Sequence, residues 1–152
     1  METPFTVHIK IQKPVAEVFD AVVNPKKLTG YFVGGASAPL AEGTTVIWSF
    51  VEHLGEFPVH VRRIVPNETI VLEWNGDDAS YLTRVEMSFK SLEDGSTLVG
   101  ISEGGWRNDE SGTRSSYRNC GGWMHMACCM KAYLDHGINL RKGSVWLGDA
   151  AK

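Results

Sequence analysis

GGWMHMACCMKAYLDHG, residues 121–137, brings two adjacent cysteines, two histidines, three methionines and a tryptophan into less than about five turns of helix. That density invites a metal or redox reading. His125 stands at helical spacing from Cys128 and Cys129, but two ligands on one helix are not the four of a structural zinc site, and the sequence offers no C-x-x-C partner or second His/Cys cluster. No metal and no cofactor are expected. Cys128 and Cys129 diverge by about 100° around a helix, so at most one faces a core, where a thiol behaves as a small hydrophobe. No neighbour in the sequence would depress a thiol pKa enough to make a nucleophile. With Cys120 there are three thiols, which cannot all pair, and reduced cysteines are expected.

The residue of greatest chemical interest is Glu103. In TLVGISEGGW, residues 97–106, Val99 and Ile101 set an inward parity, and Glu103 follows it close to the strand end. Enclosed by apolar walls, a carboxylate there has a raised pKa and could act as a general acid or base, or anchor a ligand hydroxyl or amine. The plainer alternative puts it at a cavity mouth, in water or paired with an arginine, because buried unpaired carboxylates are costly. The facing of His60 and Arg62 stays open, since Phe57, Val59 and Val61 give one parity and Ile64 the other, as a bulge near Arg62-Arg63 would. Arg84 is expected to face solvent.

These residues need elements to hold them. FTVHIKI, residues 5–11, alternates as a half-buried strand, and then Val15, Val18, Phe19, Val22 and Val23 recur at helical spacing after Pro14. Asn24-Pro25 ends that helix and caps a shorter one running to about Tyr31. Turn residues then cut the chain into β-type runs near 44–52, 57–65, 69–75, 81–90 and 96–103, with a weak strand near 36–41, an order that favours an antiparallel meander. RNDESGTRSS, after Trp106, lacks apolar anchors and is expected to be a mobile loop before a final helix over 115–137. Trp123, Met126, Ala127, Met130, Tyr133 and Leu134 form one apolar stripe on that helix, with Gly137 at its C-terminal cap.

The apolar sheet face, carrying Val46, Trp48, Phe50, Ile70, Leu72, Trp74, Tyr81, Val85, Met87 and Phe89, belongs against that stripe. A curved sheet around a helix leaves a gap. Its expected lining is Trp48, Trp74, Tyr81, Glu103, Trp106, Trp123, Met126 and Met130, although each aromatic taken singly fits core packing as well. Gly121 and Gly122 each cost a helix about 1 kcal/mol relative to alanine. Either the well-formed helix begins at Trp123, or, as is favoured, the missing side chains let it approach the sheet and open the pocket entrance.

A chain of 152 residues fits a single domain over 1–152, and its charge of −3 without any basic run disfavours nucleic acid as a partner. Residues 1–20 hold no uninterrupted apolar block, so neither a signal peptide nor a membrane span is expected, and the location expected is cytoplasmic. Phosphate-loop, dinucleotide, nucleophile-elbow and zinc-protease motifs are missing from the sequence.

The element order, together with NPKKLTGYF, ETIVLEWNGD, TLVGISEGGW and GGWMHMACCMKAYLDHG, resembles the START-like helix-grip (SRPBCC) superfamily. Within it the sequence is most similar to proteins like the C-terminal domain of the activator of the Hsp90 ATPase. The resemblance covers almost the whole chain and implies an α+β helix-grip fold of order β-α-α-β-β-β-β-β-β-α: a curved antiparallel sheet around a long C-terminal helix, with two short helices after the first strand. It also implies a hydrophobic cavity, used across the superfamily for lipids, polyketides and hormones. The leading expectation is a protein that holds an apolar or amphipathic small molecule there. A cyclase- or hydrolase-type enzyme using Glu103, and a module that acts on a chaperone, are the alternatives; a homodimer is compatible with either.

Overall fold

In the computed structural model, residues 4–148 are described. Strand β1 (Phe5–Ile11) leads to helices α1 (Val15–Val23) and α2 (Pro25–Leu28); β2 (Gly35–Ala36), β3 (Thr45–Phe50), β4 (His53–Val65), β5 (Thr69–Asn75), β6 (Leu82–Ser91) and β7 (Thr97–Gly104) follow, and α3 (Glu110–His136) closes the order. All pairings are antiparallel, in a seven-stranded sheet ordered β1-β7-β6-β5-β4-β3-β2. The first strand therefore joins the last. Helix α3 packs against β1 and β7. This is the helix-grip α+β fold.

Local chemistry explains the boundaries. The Asn24 side chain accepts from the Lys26 amide at 3.0 Å and starts α2, while Pro25 supplies the fixed φ of a first helical turn. Along β6 burial alternates strictly, with Thr83, Val85, Met87 and Phe89 inside. In β4 the pairing slips between Val61 and Arg63, so Arg62 and Arg63 are both exposed and the inward parity changes there. The slip settles two orientations. Arg62 pairs with Glu73 at 2.5 Å, and the His60 ring meets the Thr45 hydroxyl at 2.9 Å.

One expectation is overturned. The polar stretch after Trp106 is not a loop down to residue 115, because α3 begins at Glu110. Asp109 caps it, accepting from the Gly112 amide at 2.7 Å, and Gly112 is required there: a Cβ would lie 2.0 Å from the Arg107 carbonyl oxygen. Capping by a short polar side chain, rather than apolar spacing, makes this first turn. Around it the Arg107 guanidinium reaches Asp77 (3.1 Å), Asp78 (2.9 Å) and Asp109 (3.0 Å), and Ser111 and Tyr81 both donate to Asp77. These contacts tie the β5–β6 turn to the start of α3. At the other end Gly137 takes a left-handed φ of 66° and its amide returns to the Tyr133 carbonyl at 3.1 Å.

Candidate functional site

Behind the α3 stripe the core is closed: Met126 and Met130 are fully buried, as are Trp48, Ile70, Leu72 and Ile101. Toward one end of the molecule the packing opens into a cleft of about 570 Å³ between β3, β4, the end of β5, the middle of α3 and residues 141–147. Trp74 and Trp123 adjoin each other in its wall, ring centroids 5.5 Å apart and tilted by 33°. Phe32 touches Trp123 at 5.6 Å and Phe50 at 5.2 Å, and Phe50 touches Phe57 at 5.4 Å. Four strands and helices thus contribute to one continuous aromatic surface.

Glu103 sits directly behind that surface with no exposed area. One carboxylate oxygen accepts from the Trp74 indole (2.8 Å) and the Thr83 hydroxyl (2.6 Å); the other accepts from the Trp123 indole (2.8 Å) and the Asn119 amide (3.0 Å). It is neither solvated nor paired with an arginine. Four neutral donors from β5, β6 and α3 satisfy it instead, the arrangement that makes burial of a carboxylate tolerable. Both indole N–H groups are consumed in this way, so the two rings are fixed in orientation; the half-buried Trp74 gives the cleft its free ring surface, while Trp123, 3% exposed, backs it.

Trp48 stands one layer deeper, edge-on to Trp74 at 5.9 Å and 87°. Tyr81 and Trp106 lie outside the cleft lining, with Arg107 over the Tyr81 ring at 5.0 Å and the Trp106 indole nitrogen buried without a hydrogen-bond partner among the described residues. Of the eight residues expected to line a cavity, the structure thus brings Trp74 and Trp123 to the cleft, Glu103 and Trp48 to its back, and Met126 and Met130 to the closed core. Sequence reasoning missed Thr83 and Asn119 as partners of Glu103, although Thr83 shares the inward parity of Val85 and Met87 and Asn119 lies one turn before Trp123. Phe32, Arg141 and Trp146 reach the cleft from distant segments and left no periodic signal.

The C-terminal segment forms the remaining wall. Arg141 pairs with Glu52 at 3.0 Å and lies over the rings of Phe32 (5.4 Å) and Phe50 (5.6 Å). Glu52 is held below its usual carboxylate range: burial opposes this, but the hydrogen bond from Arg141 and its charge prevail. His125 meets the Ser144 hydroxyl at 3.0 Å, and burial together with the Arg141 charge lowers its pKa. Cys129 is buried one turn further, and burial pushes its thiol up, away from nucleophilic chemistry. Gly122 lines the cleft as well, and a Cβ added there would meet nothing within 4 Å. Among the described residues no group of three or more His, Cys, Asp or Glu side chains is placed to hold a metal ion.

A family model described as Activator of Hsp90 ATPase homolog 1-like protein matches residues 12–135. The chain belongs to this family. Three solved structures show the fold that this Hsp90 ATPase activator homologue-like chain shares. A Staphylococcus saprophyticus protein superposes with a TM-score of 0.77 at 23% identity, covering 91% of this chain and 96% of that one. DynU16, a putative protein of the dynemicin biosynthetic locus, gives 0.77 at 20% identity over 90% of this chain and 48% of its own. The Aha1 dimer of Colwellia psychrerythraea gives 0.73 at 17% identity over 89% and 98%. No curated protein matches the chain. None of the described helices is long and apolar enough to cross a membrane.

Proposed function

We propose that the protein binds an apolar or amphipathic small molecule in the cleft between the β3–β5 end of the sheet, the middle of α3 and residues 141–147. The observation that carries this reading is an open hollow of about 570 Å³ walled by Phe32, Phe50, Phe57, Trp74, Trp123 and Trp146, within the ~300–1,000 Å³ usual for small-molecule sites. Trp146 supports it further, being 79% exposed beside that wall and available for a ligand to cover. Membership of the family and the place of DynU16 in the dynemicin biosynthetic locus fit the same reading.

In this reading Glu103 acts through the tryptophans. Its four hydrogen bonds fill both oxygens, which suits a group that orients Trp74 and Trp123 better than one that exchanges a proton with a substrate. Titration with the neutral dye Nile red tests the binding: a saturable blue shift is expected, abolished by Gly122→Leu, whose side chain would enter the cleft. A dye response identical in the two proteins, or none in the wild type, would remove the proposal.

A homodimer is a second reading, favoured by the exposed Val51 (87%) and Leu54 (100%) at the β3–β4 tip and by the dimeric Colwellia neighbour. Sedimentation of the wild type and of Val51→Ser/Leu54→Ser decides it; a wild-type monomer at all concentrations would end it.

A further inference from the structure

The cleft has a charge asymmetry that an apolar hollow does not need. Its lining contains no carboxylate, although the chain carries 18 acidic residues against 15 basic ones, and it does contain Arg118, Arg141, His53 and His125. Two of the four are already engaged. Arg141 spends its guanidinium on Glu52 and on two phenylalanine rings, and His125 is held toward its neutral form and bonded to Ser144. Arg118 differs. It is exposed and has no ion-pair or hydrogen-bond partner among the described residues, whereas Arg114, one turn earlier, takes Glu110 at 2.7 Å and Arg107 takes three aspartates.

Position adds to the charge. Arg118, Gly122 and His125 fall at spacings of four and three along α3 and share one face, the face that lines the cleft. Because Gly122 has no side chain, nothing stands on the helix between the Arg118 stem and the cleft at that step, and the space over it is empty. The adjoining wall is the half-buried Trp74 indole, backed by the buried Trp123 ring tilted 33° to it, with both N–H groups turned away to Glu103. A site with planar walls and an open guanidinium at its rim suits a ring system that bears an anion, since Arg presents paired N–H groups to a carboxylate.

We infer that the ligand is a planar aromatic carboxylate, its ring against Trp74 and its anionic group on Arg118. This rests on the binding reading above and names the ligand class for that site. The test compares 2-naphthoate with its neutral isostere 2-naphthamide by calorimetry, in the wild type and in Arg118→Gln. An exposed arginine can be replaced without loss of fold. Naphthoate should bind about tenfold more tightly than the amide, and the preference should vanish in Arg118→Gln while amide binding persists. The preference should also shrink between 50 mM and 500 mM salt, because the rim is open to water.

Equal affinity for both compounds in the wild type overturns the anion class and leaves the cleft as a binding site. A naphthoate preference that survives Arg118→Gln overturns the assignment of Arg118. Failure of both naphthoate and naphthamide to bind, with Nile red still taken up, overturns the aromatic class; failure of all three overturns the binding reading with it.

Discussion

At the scale of single residues the decisive fact is a buried carboxylate with four neutral donors and no cation. Exchange of Glu103 for glutamine replaces one acceptor oxygen by an amide donor, which then faces at least one N–H that cannot accept. Thr83 can rotate its hydroxyl to compensate, but the indoles of Trp74 and Trp123 cannot. Glu103→Gln should therefore cost about 1–3 kcal/mol of stability, the usual consequence of an unmet buried donor, and should shift tryptophan emission because two rings lose their anchor. Denaturant melts read through Trp fluorescence measure both. Unchanged stability and emission would show that the carboxylate anchors nothing. Asp135 supplies a second case: its carboxylate accepts from the Gln12 amide (3.1 and 3.2 Å) and from Lys131 (2.6 Å), joining the end of β1 to α3. Burial opposes its ionisation, yet the Lys131 contact and the Gln12 amide keep its pKa below the usual aspartate value. The stability it contributes is thus present above the unfolded aspartate pKa and is lost as pH falls through the lower folded one.

Elements were the most legible level, because period and capping are local. The β-runs, both N-terminal helices, the bulge near Arg62 and the Gly137 cap follow from parity, helical spacing and punctuation. The first turn of α3 did not, since Asp109 capping and the Gly112 close approach act without any apolar residue. The two glycines inside α3 separate stability from function. Both have open space where a Cβ would be, so neither is demanded by close packing, yet only Gly122 lines the cleft. Gly121→Ala should stabilise the protein by about 0.5–1 kcal/mol and leave dye uptake unaltered, by removing backbone freedom from the unfolded chain. Gly122→Ala should stabilise by a similar amount and weaken uptake. Thermal melts and Nile red titration of both variants measure this; a Gly122→Ala protein that binds as the wild type does would show that the vacancy serves no ligand.

For the whole molecule, the site is the least legible feature because its walls meet only through long-range packing. Parity found Trp74 and Glu103, and helical phase found Trp123, but Arg141, Val145 and Trp146 reach the cleft from beyond the last helix, where no period exists to be read. The same segment makes this wall of the cleft sensitive to acid. His125 faces Ser144, the Cys129 thiol at 3.7 Å, and the opposed charges of Arg141 and Glu52. Burial first and Arg141 second lower its folded pKa, with Glu52 partly offsetting them, so the fold favours the neutral ring. The unfolded chain then binds a proton near pH 6.5 that the folded one resists, and His125's share of stability is complete above that pH and lost as the pH falls through and below it. Asp135 and Glu52 have lowered carboxylate pKa values, so their own loss begins only below the unfolded carboxylate range of roughly 4. Between pH 7.5 and 5.5 the His125 effect is thereby separable from theirs. The wild-type melting temperature should decline across this interval, and His125→Gln, which keeps a polar partner for Ser144 without a titrating ring, should decline less. Calorimetric melts at half-unit steps measure the two slopes, and equal slopes would show that protonation of His125 leaves the cleft wall in place.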